Sequence, residues 1–343
     1  MSDRVLVTGA TGFIGHHVVE TLLERGDRVA CLVRPTSDTS GLPVDKLELR
    51  LGDVTDSASL DRAVKDIDVV YHLAGALEAR SLAELNLVNE AGPRNMAASC
   101  SHLEKPPVLV LLSSLEAAGP DIPGHLRTEQ DRSDPVSNYG RSKLAGELVI
   151  NEFSAVVPIT IVRASAVFGE RDRETLEVVK AFRIDGLDIY TVPRAHTTIL
   201  NLIHARDLAD LLVVAAEKGE RIQPSGRAPE TAGQGLYYAA DKERMTLGEV
   251  VGNVAQAIAQ NRIRIFSLPI GFAWIMAGAS EAWARIRGQS PGIVNLDKVR
   301  SFAAGSFTCS PDKSARQLGF SPSHSLSERL SQTIAWYQEQ GWL

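Results

Sequence analysis

Residues 4–15 read Arg4-Val5-Leu6-Val7-Thr8-Gly9-Ala10-Thr11-Gly12-Phe13-Ile14-Gly15. An apolar run that breaks at glycine and restarts as an amphipathic stretch predicts a strand over Arg4–Thr8, a tight turn, and a helix over Phe13–Arg25. Three separate demands meet in such a turn: positive φ, close approach of the backbone to a diphosphate, and packing of the helix on the strand. Glycine meets all three. The free N–H groups and positive end of the helix would then hold the diphosphate without a lysine. Gly9, Thr11, Gly12, Phe13, Ile14 and Gly15 are therefore candidate cofactor-binding residues, and a purely structural glycine turn is the alternative.

Outward from this loop the same grammar repeats. Strands are expected over Arg28–Val33, Lys46–Leu51, Val69–Leu73, Val108–Leu112 and Ile159–Arg163. Between them lie helical stretches over Ala58–Lys65, Ser81–His102 and Tyr139–Phe153. Continuous Val/Leu runs belong to strands covered on both faces, so the sheet should be mainly parallel with right-handed crossovers. The expected fold class is α/β: a doubly wound, mainly parallel sheet of Rossmann type with a smaller, mostly helical C-terminal substrate-binding domain. The dinucleotide-binding domain is assigned to residues 1–170 with a later contribution from about 197–245, and the substrate-binding domain to 171–196 and 246–343. Ser325–Gln340 reads as a late helix, and residues 223–234, rich in Pro, Gly and polar side chains, as a surface loop.

Composition narrows the partners. The chain has 343 residues, 44% hydrophobic and 23% charged, which suits a globular protein. With 36 basic against 42 acidic residues its formal charge is -6, so it offers no long-range attraction to phosphate backbones, and nucleic acid is not expected as a partner. Cys31, Cys100 and Cys309 lie far apart without a C-x-x-C pair, and no His/Asp/Glu grouping has ligand spacing; neither a disulfide framework nor a metal is expected. With no basic region leading into an apolar signal core, a cytoplasmic setting is expected. The most apolar stretch, Ile265–Arg287, is interrupted by Pro269, Glu281, Arg285 and Arg287. It reads as a buried or groove-lining helix over an apolar pocket, with peripheral membrane contact as the alternative and no stable span.

The second strand ends Leu32-Val33-Arg34, where NAD enzymes typically carry an acid for the adenosine ribose. A carboxylate repels a ribose 2'-phosphate, whereas a guanidinium pairs with it. NADP is therefore the expected cofactor and NAD the alternative. Asp53, after the third strand, is a candidate acceptor for the adenine amino group, or an ordinary turn carboxylate.

Tyr139 and Lys143 are four residues apart and project from one face of their helix. Ser114 follows the Val108–Leu112 strand, at the carboxyl edge where ligands bind in such sheets. A free tyrosine, with a pKa near 10, is a poor base at neutral pH. A neighbouring ammonium is expected to stabilise the phenolate; a shift of roughly three units corresponds to about 4 kcal/mol. Ser114 would steady the substrate oxygen and Lys143 the nicotinamide ribose. Taken singly, each has an ordinary alternative: a strand-end cap, a half-buried aromatic, a solvated charge.

The segments TGATGFIG (8–15), GDVTD (52–56), HLAG (72–75), LSSLEAAG (112–119), YGRSK (139–143) and RASAVFGE (163–170) occur in the order of the extended short-chain dehydrogenase/reductase superfamily, which the chain resembles over most of its length. The resemblance extends to the NAD-dependent epimerase/dehydratase family within it. It implies a catalytic triad of Ser114, Tyr139 and Lys143, with Asn89 in the supporting position that helps hold a water. It also implies a cofactor cleft lined by His72, Leu73 and Ala74, with Ala164–Val167 passing near the nicotinamide; Asp53, Val54, Leu73, Ala74, Gly75 and Ala166 are thus candidate cofactor-binding residues. The departures concern substrate. Leu115 replaces the aspartate of dehydratases, while Ala164 and Ala166 replace the proline and asparagine usual in sugar-nucleotide epimerases. Leu32–Ser37 and the apolar Leu268–Trp283 segment are closer to dihydroflavonol reductases and 3β-hydroxysteroid dehydrogenases.

The expected activity is NAD(P)-dependent interconversion of an alcohol and a ketone on a mainly apolar small molecule, such as a terpenoid, sterol-like or aromatic ketone. A nucleotide-sugar epimerase with tightly bound NAD is the runner-up, and a non-catalytic nucleotide sensor the third reading. Family habit implies a homodimer through long helices, including Tyr139–Phe153. His204 and Asp207 are expected to cap or pack a helix.

Overall fold

The computed structural model describes residues 2–121, 124–184, 187–224, 233–258, 262–287 and 295–343. The chain begins β1 (Arg4–Thr8), α1 (Phe13–Glu24), β2 (Arg28–Val33), β3 (Glu48–Leu51), α2 (Ser57–Ala63) and β4 (Val69–His72). It continues with α3 (Leu82–Asn89), α4 (Ala91–Ser101), β5 (Val108–Ser114), α5 (Asn138–Ile150), β6 (Ile159–Ala164), β7 (Ala166–Phe168) and α6 (Arg173–Ala181). Then come β8 (Ile189–Pro193), β9 (Ile199–His204), α7 (Ala205–Lys218), β10 (Leu236–Ala239), β11 (Arg244–Thr246) and α8 (Leu247–Ile258). The chain closes with β12 (Arg264–Leu268), α9 (Ile270–Ile286), α10 (Leu296–Ala304) and α11 (Leu326–Glu339).

Seven strands form a parallel sheet in the order β10-β6-β5-β4-β1-β2-β3. The order reverses between β1 and β4, which opens a crevice at their carboxyl ends. In β1, Val5 and Val7 face α1 and α7, while Leu6 faces α2, α4 and α5, so both faces of the strand are covered by apolar helix surface. That explains the unbroken apolar runs.

The remaining elements pack over the carboxyl edge. β8 pairs with β12 in parallel, and α6, α8 and α11 enclose a core with Tyr190, Val192, Leu247, Val251 and Tyr337. The C-terminal helix is tied back to the sheet. Arg329 donates to the Asp207 carboxylate at 2.7 and 2.9 Å, and the Tyr337 hydroxyl donates to the Asp172 carbonyl at 2.7 Å.

Several element ends move by one to three residues from the sequence reading, and three differences bear on the site and its surroundings. The 81–102 stretch breaks at Glu90 into α3 and α4, and β5 runs on to include Ser114. Ile265–Arg287 is not one helix: Pro269, which cannot donate to a ladder, separates β12 from α9. Nor is α9 a buried helix. It turns Ala273 and Ala277 inward and leaves Phe272, Ile275, Met276, Trp283 and Ile286 largely exposed, because small side chains are what fit against α10. Among the described residues no helix is long and apolar enough to cross a membrane.

Candidate active site

The turn between β1 and α1 leaves no room for side chains. Gly9 has φ +70°, and a Cβ there would lie 2.8 Å from the backbone nitrogen of Ala74; one at Gly15 would lie 2.1 Å from the Gly9 carbonyl oxygen. Gly12 caps α1 without a side-chain hydrogen bond, so the first-turn N–H groups face the crevice unclaimed by a cap. Thr8 fixes the opposite wall, its hydroxyl accepting from the Ala74 N–H at 3.1 Å and lying 3.2 Å from His72 Nδ1. Burial pushes His72 down to about 3, and the charge of Lys143 acts in the same direction, so this imidazole is neutral at physiological pH.

A cavity of about 550 Å³ opens beside this turn. Its wall includes Gly9, Gly12, Phe13, Ile14, Gly15, Leu73 and Gly75 at one end, and Ser114, Tyr139, Lys143 and Ala166 in the middle. The far end is apolar, with Val179, Phe182, Leu200, Val251, Val254 and Phe302. A second cavity of about 460 Å³ shares Glu116, Tyr139, Glu174 and Lys298 with the first and continues into polar surroundings. Thr11, Arg34, Asp53, Val54, Ala74 and Asn89 lie outside the wall of the main cavity. Arg34 is exposed beyond the end of β2, and its charge helps hold the Asp53 carboxyl low, after the hydrogen bond from the Thr55 N–H. The Asp53 carboxylate is thus engaged by Thr55, at 2.8 Å from Oγ1 and 2.9 Å from the N–H. Val54 is buried in the core between sheet and helices.

Ser114 ends β5, and its Oγ accepts from the Glu116 N–H at 3.1 Å. Ser137 caps α5, accepting from the Gly140 N–H at 2.9 Å, which sets the helix that carries Tyr139 and Lys143. Both side chains reach the cavity, but the expected stabilisation of phenolate by ammonium is not what sets the tyrosine. Lys143 Nζ donates to the Leu112 carbonyl at 2.7 Å. Tyr139 is raised above its ordinary value by burial first, then by the negative charges of Glu116 and Glu174, against a hydrogen bond with Ser114 that favours ionisation. Lys143 itself is pushed down to about 8 by burial, partly offset by Glu147.

Asn89 is buried at the end of α3. Its Oδ1 accepts from the Ala76 N–H, and its Nδ2 donates to the Ala76 carbonyl and to Ser142 Oγ, each at 2.8 Å. Ser142 in turn donates to the Tyr139 carbonyl at 2.7 Å. The Asn89 amide therefore ties the Gly75–Ala76 strand exit to the helix behind the tyrosine.

Several site residues had no local signal in the sequence. Asp297 of α10 accepts from the backbone N–H groups of Asn138 and Tyr139 at 2.7 and 3.0 Å. Ser301, one turn later, donates to Glu116 at 2.9 Å, and Ser137 donates to the same carboxylate. Burial raises Glu116 above the ordinary carboxylate range, against those two hydrogen bonds. Lys298 pairs with Glu78 at 3.0 Å and with Glu174 at 2.5 Å, at the junction of the two cavities. The i, i+4 spacing of Asp297 and Ser301 was the only trace, and it says nothing of what they face.

His204 caps α7, accepting from the Arg206 N–H at 3.2 Å. Its other nitrogen lies 3.2 Å from Glu170 Oε2. Burial raises Glu170, but the hydrogen bond and charge of His204 outweigh it and bring the carboxyl down to about 2. Asp207 pairs with Arg329, so both residues serve the architecture.

Comparison with known proteins agrees with this geometry. A ceramide reductase of Caulobacter vibrioides is 28% identical over 341 residues, covering 99% of this chain and 96% of that protein. A putative dihydroflavonol 4-reductase of a Synechocystis species is 26% identical over 357 residues, covering 100% of this chain and 97% of that protein. The solved UDP-glucose 4-epimerase of Thermotoga maritima superposes with a TM-score of 0.74 over 98% of this chain and 99% of that one; at 17% identity it attests to the shared fold alone. The profile of the NAD dependent epimerase/dehydratase family matches residues 5–228, well over half of the chain. With its parallel sheet, glycine turn and Ser-Tyr-Lys cavity, the chain belongs to the NAD dependent epimerase/dehydratase family, within the extended short-chain dehydrogenases/reductases.

Proposed function

We propose that the protein is an NADP(H)-dependent oxidoreductase that interconverts a ketone and an alcohol on a mainly apolar small molecule, with Tyr139 as its acid/base. The observation that carries this reading is the cavity in which Ser114, Tyr139 and Lys143 stand between a glycine turn and an apolar chamber lined by Val179, Phe182, Val251, Val254 and Phe302. Relatives named for reduction of a ceramide and a dihydroflavonol support a bulky, apolar substrate. Residues 1–170 with 197–245 would bind the cofactor, and 171–196 with 246–343 the substrate. Exposed Leu87 on α3 and Leu148 on α5 support a homodimer through that face, and a cytoplasmic setting suits the chemistry.

The residues fit a dinucleotide: a Cβ at Gly9 or Gly15 would fill the cradle, and α1 presents uncapped N–H groups there. NADPH held there would supply the hydride for the carbonyl carbon. Ser114, whose oxygen already accepts from Glu116, uses its own proton to hold the substrate oxygen. The Tyr139 phenol delivers the proton that completes the alcohol and regains it from solvent. Lys143, charged at neutral pH, stabilises the transient phenolate and grips the ribose. Asn89 positions this set through Ala76 and Ser142. Arg34 would pair with the ribose 2'-phosphate, and Asp53 and Val54 would border the adenine.

Two substitutions test the proposal. Tyr139→Phe should lower turnover by at least about a hundredfold while NADPH binding largely survives; undiminished turnover would remove the mechanism. Arg34→Ala should weaken NADPH by roughly tenfold or more and NADH little, since a charged hydrogen bond is worth about 1.5–3 kcal/mol. Equal weakening of both would shift the assignment to NAD.

A further inference from the structure

Large apolar side chains exposed on this molecule concentrate on α9 and the strand before it. Phe272, Ile275, Met276, Trp283 and Ile286 are each more than half exposed, and Phe266 on β12 is 50% exposed. The helical residues lie at spacings that return to one side of a helix (272, 275, 276, 283, 286), which places them on one stripe, whereas the inward face sets Ala273 and Ala277, with Ile270 and Trp274 partly buried beside them, against Val299 and Leu296. Most large apolar residues of α9 thus face outward, whereas those of a water-facing helix turn inward. Leaving such side chains in water forgoes the free energy of burying them, so the stripe is built to be covered.

Charge selects what covers it. Residues 262–287 hold four arginines, Arg262, Arg264, Arg285 and Arg287, against one acid, Glu281, in a chain of net charge -6. Glu281 is engaged with the backbone N–H of Leu296 at 3.0 Å. Arg262, Arg264 and Arg287 are exposed, and the Arg287 guanidinium lies 4.4 Å from the centre of the Trp283 ring. Arginines precede and follow the apolar stripe and its one acid, Glu281, is turned to the Leu296 N–H, so a second copy on the same face would bring like charges together. An anionic lipid surface satisfies both features: acyl chains take Phe272, Ile275, Met276 and Ile286, the headgroup layer takes Trp283, and lipid phosphates take Arg262, Arg264 and Arg287. With no helix among the described residues fit to span, the contact lies in the interfacial plane.

We propose that α9 docks the protein on anionic membrane surfaces. Ala273 of the same helix lines the catalytic cavity, so docking sets that wall at the hydrocarbon boundary and lets a bilayer-dissolved ketone enter. This last step rests on the oxidoreductase reading; docking itself does not.

The test is co-sedimentation of the full chain with phosphatidylcholine vesicles, with and without phosphatidylglycerol. The protein should follow the phosphatidylglycerol vesicles, and added salt should weaken the association. The surface variant Ile275→Asp/Ile286→Asp should partition at least about tenfold less, and Arg262→Glu/Arg287→Glu should lose the salt-sensitive part. The apolar variant should also reduce a bilayer-dissolved ketone more slowly while turning over a water-soluble ketone at the parent rate. Failure of the parent to sediment with phosphatidylglycerol vesicles at low salt overturns the proposal, as does dissociation of an oligomer by Ile275→Asp/Ile286→Asp with vesicle partition unchanged. Sedimentation needs no turnover, so its outcome is separate from that of the Tyr139→Phe test.

Discussion

At Tyr139 the burial of the phenol and the carboxylates of Glu116 and Glu174 all hold the proton on, and only the hydrogen bond with Ser114 works the other way. On the oxidoreductase reading proposed above, a residue so placed is poorly prepared to act as a base and well prepared to act as an acid, which favours reduction of a ketone as the direction of work. On the same reading Lys143 is expected to carry the pH dependence. Its ammonium, pushed down to about 8 by burial, is charged below that value and neutral above it. In the reduction direction kcat/KM should therefore be flat at neutral pH and fall as pH rises through about 8, because the cation that offsets the developing phenolate is lost. A pH profile measured on the parent and on Lys143→Met checks this: the variant should be slow and should lack the break. A parent profile without a break near 8, or the same break in Lys143→Met, would assign the titration elsewhere. The pair was legible as two side chains on one helix face; the direction of its effect was not, because spacing along a helix carries no information about burial or about carboxylates from other segments.

The α5 N-terminus shows what elements add. Its first N–H groups are met by the Ser137 hydroxyl, a local cap readable from the sequence, and by the Asp297 carboxylate, which arrives from α10, 159 residues after Asn138. Asp297 places negative charge at the positive end of the helix that bears the tyrosine, and it binds the backbone of Tyr139 itself. Asp297→Ala should cost about 1–3 kcal/mol of stability by leaving these donors unmet. It should also lower kcat more than it raises KM, since the proton donor shifts while the apolar chamber stays; Asp297→Asn should recover part of both. Thermal melts and steady-state kinetics report the two effects separately, and unchanged kcat in Asp297→Ala would reduce the contact to packing. The opposite helix, α1, was legible in full because its requirements are local. A Cβ at Gly15 would sit 2.1 Å from the Gly9 carbonyl oxygen, with backbone on both sides and no flexible group to move. Gly15→Ala should therefore lower the melting temperature and abolish dinucleotide-dependent stabilisation, measured as the shift on adding NADPH; a parent-like shift would show that the turn tolerates a side chain.

Across the whole molecule, legibility followed the range of the interactions. The strands of the sheet could be read because each is covered on both faces, and covered strands write continuous apolar runs such as Val108–Leu112. The residues over the carboxyl edge resisted reading because β8 pairs with β12 and α10 meets α5 across long intervals of chain, contacts that leave no periodic trace. The same range governs how the halves stay together. Arg329 on α11 reaches Asp207 on α7 through paired hydrogen bonds of 2.7 and 2.9 Å, with Ser323 donating to the same carboxylate at 3.1 Å. The side chains are 10% and 3% exposed. A buried pair of this kind contributes little net stability against an apolar pair of equal volume, but breaking it strands a charge out of water. Asp207→Leu alone should then cost about 3–5 kcal/mol, whereas Asp207→Leu with Arg329→Met should recover most of that loss. Denaturant unfolding of the parent, the single and the double variants gives the comparison. If the double variant is as unstable as the single, shape and the Ser323 bonds, rather than an uncompensated guanidinium, hold the C-terminal helix against the sheet.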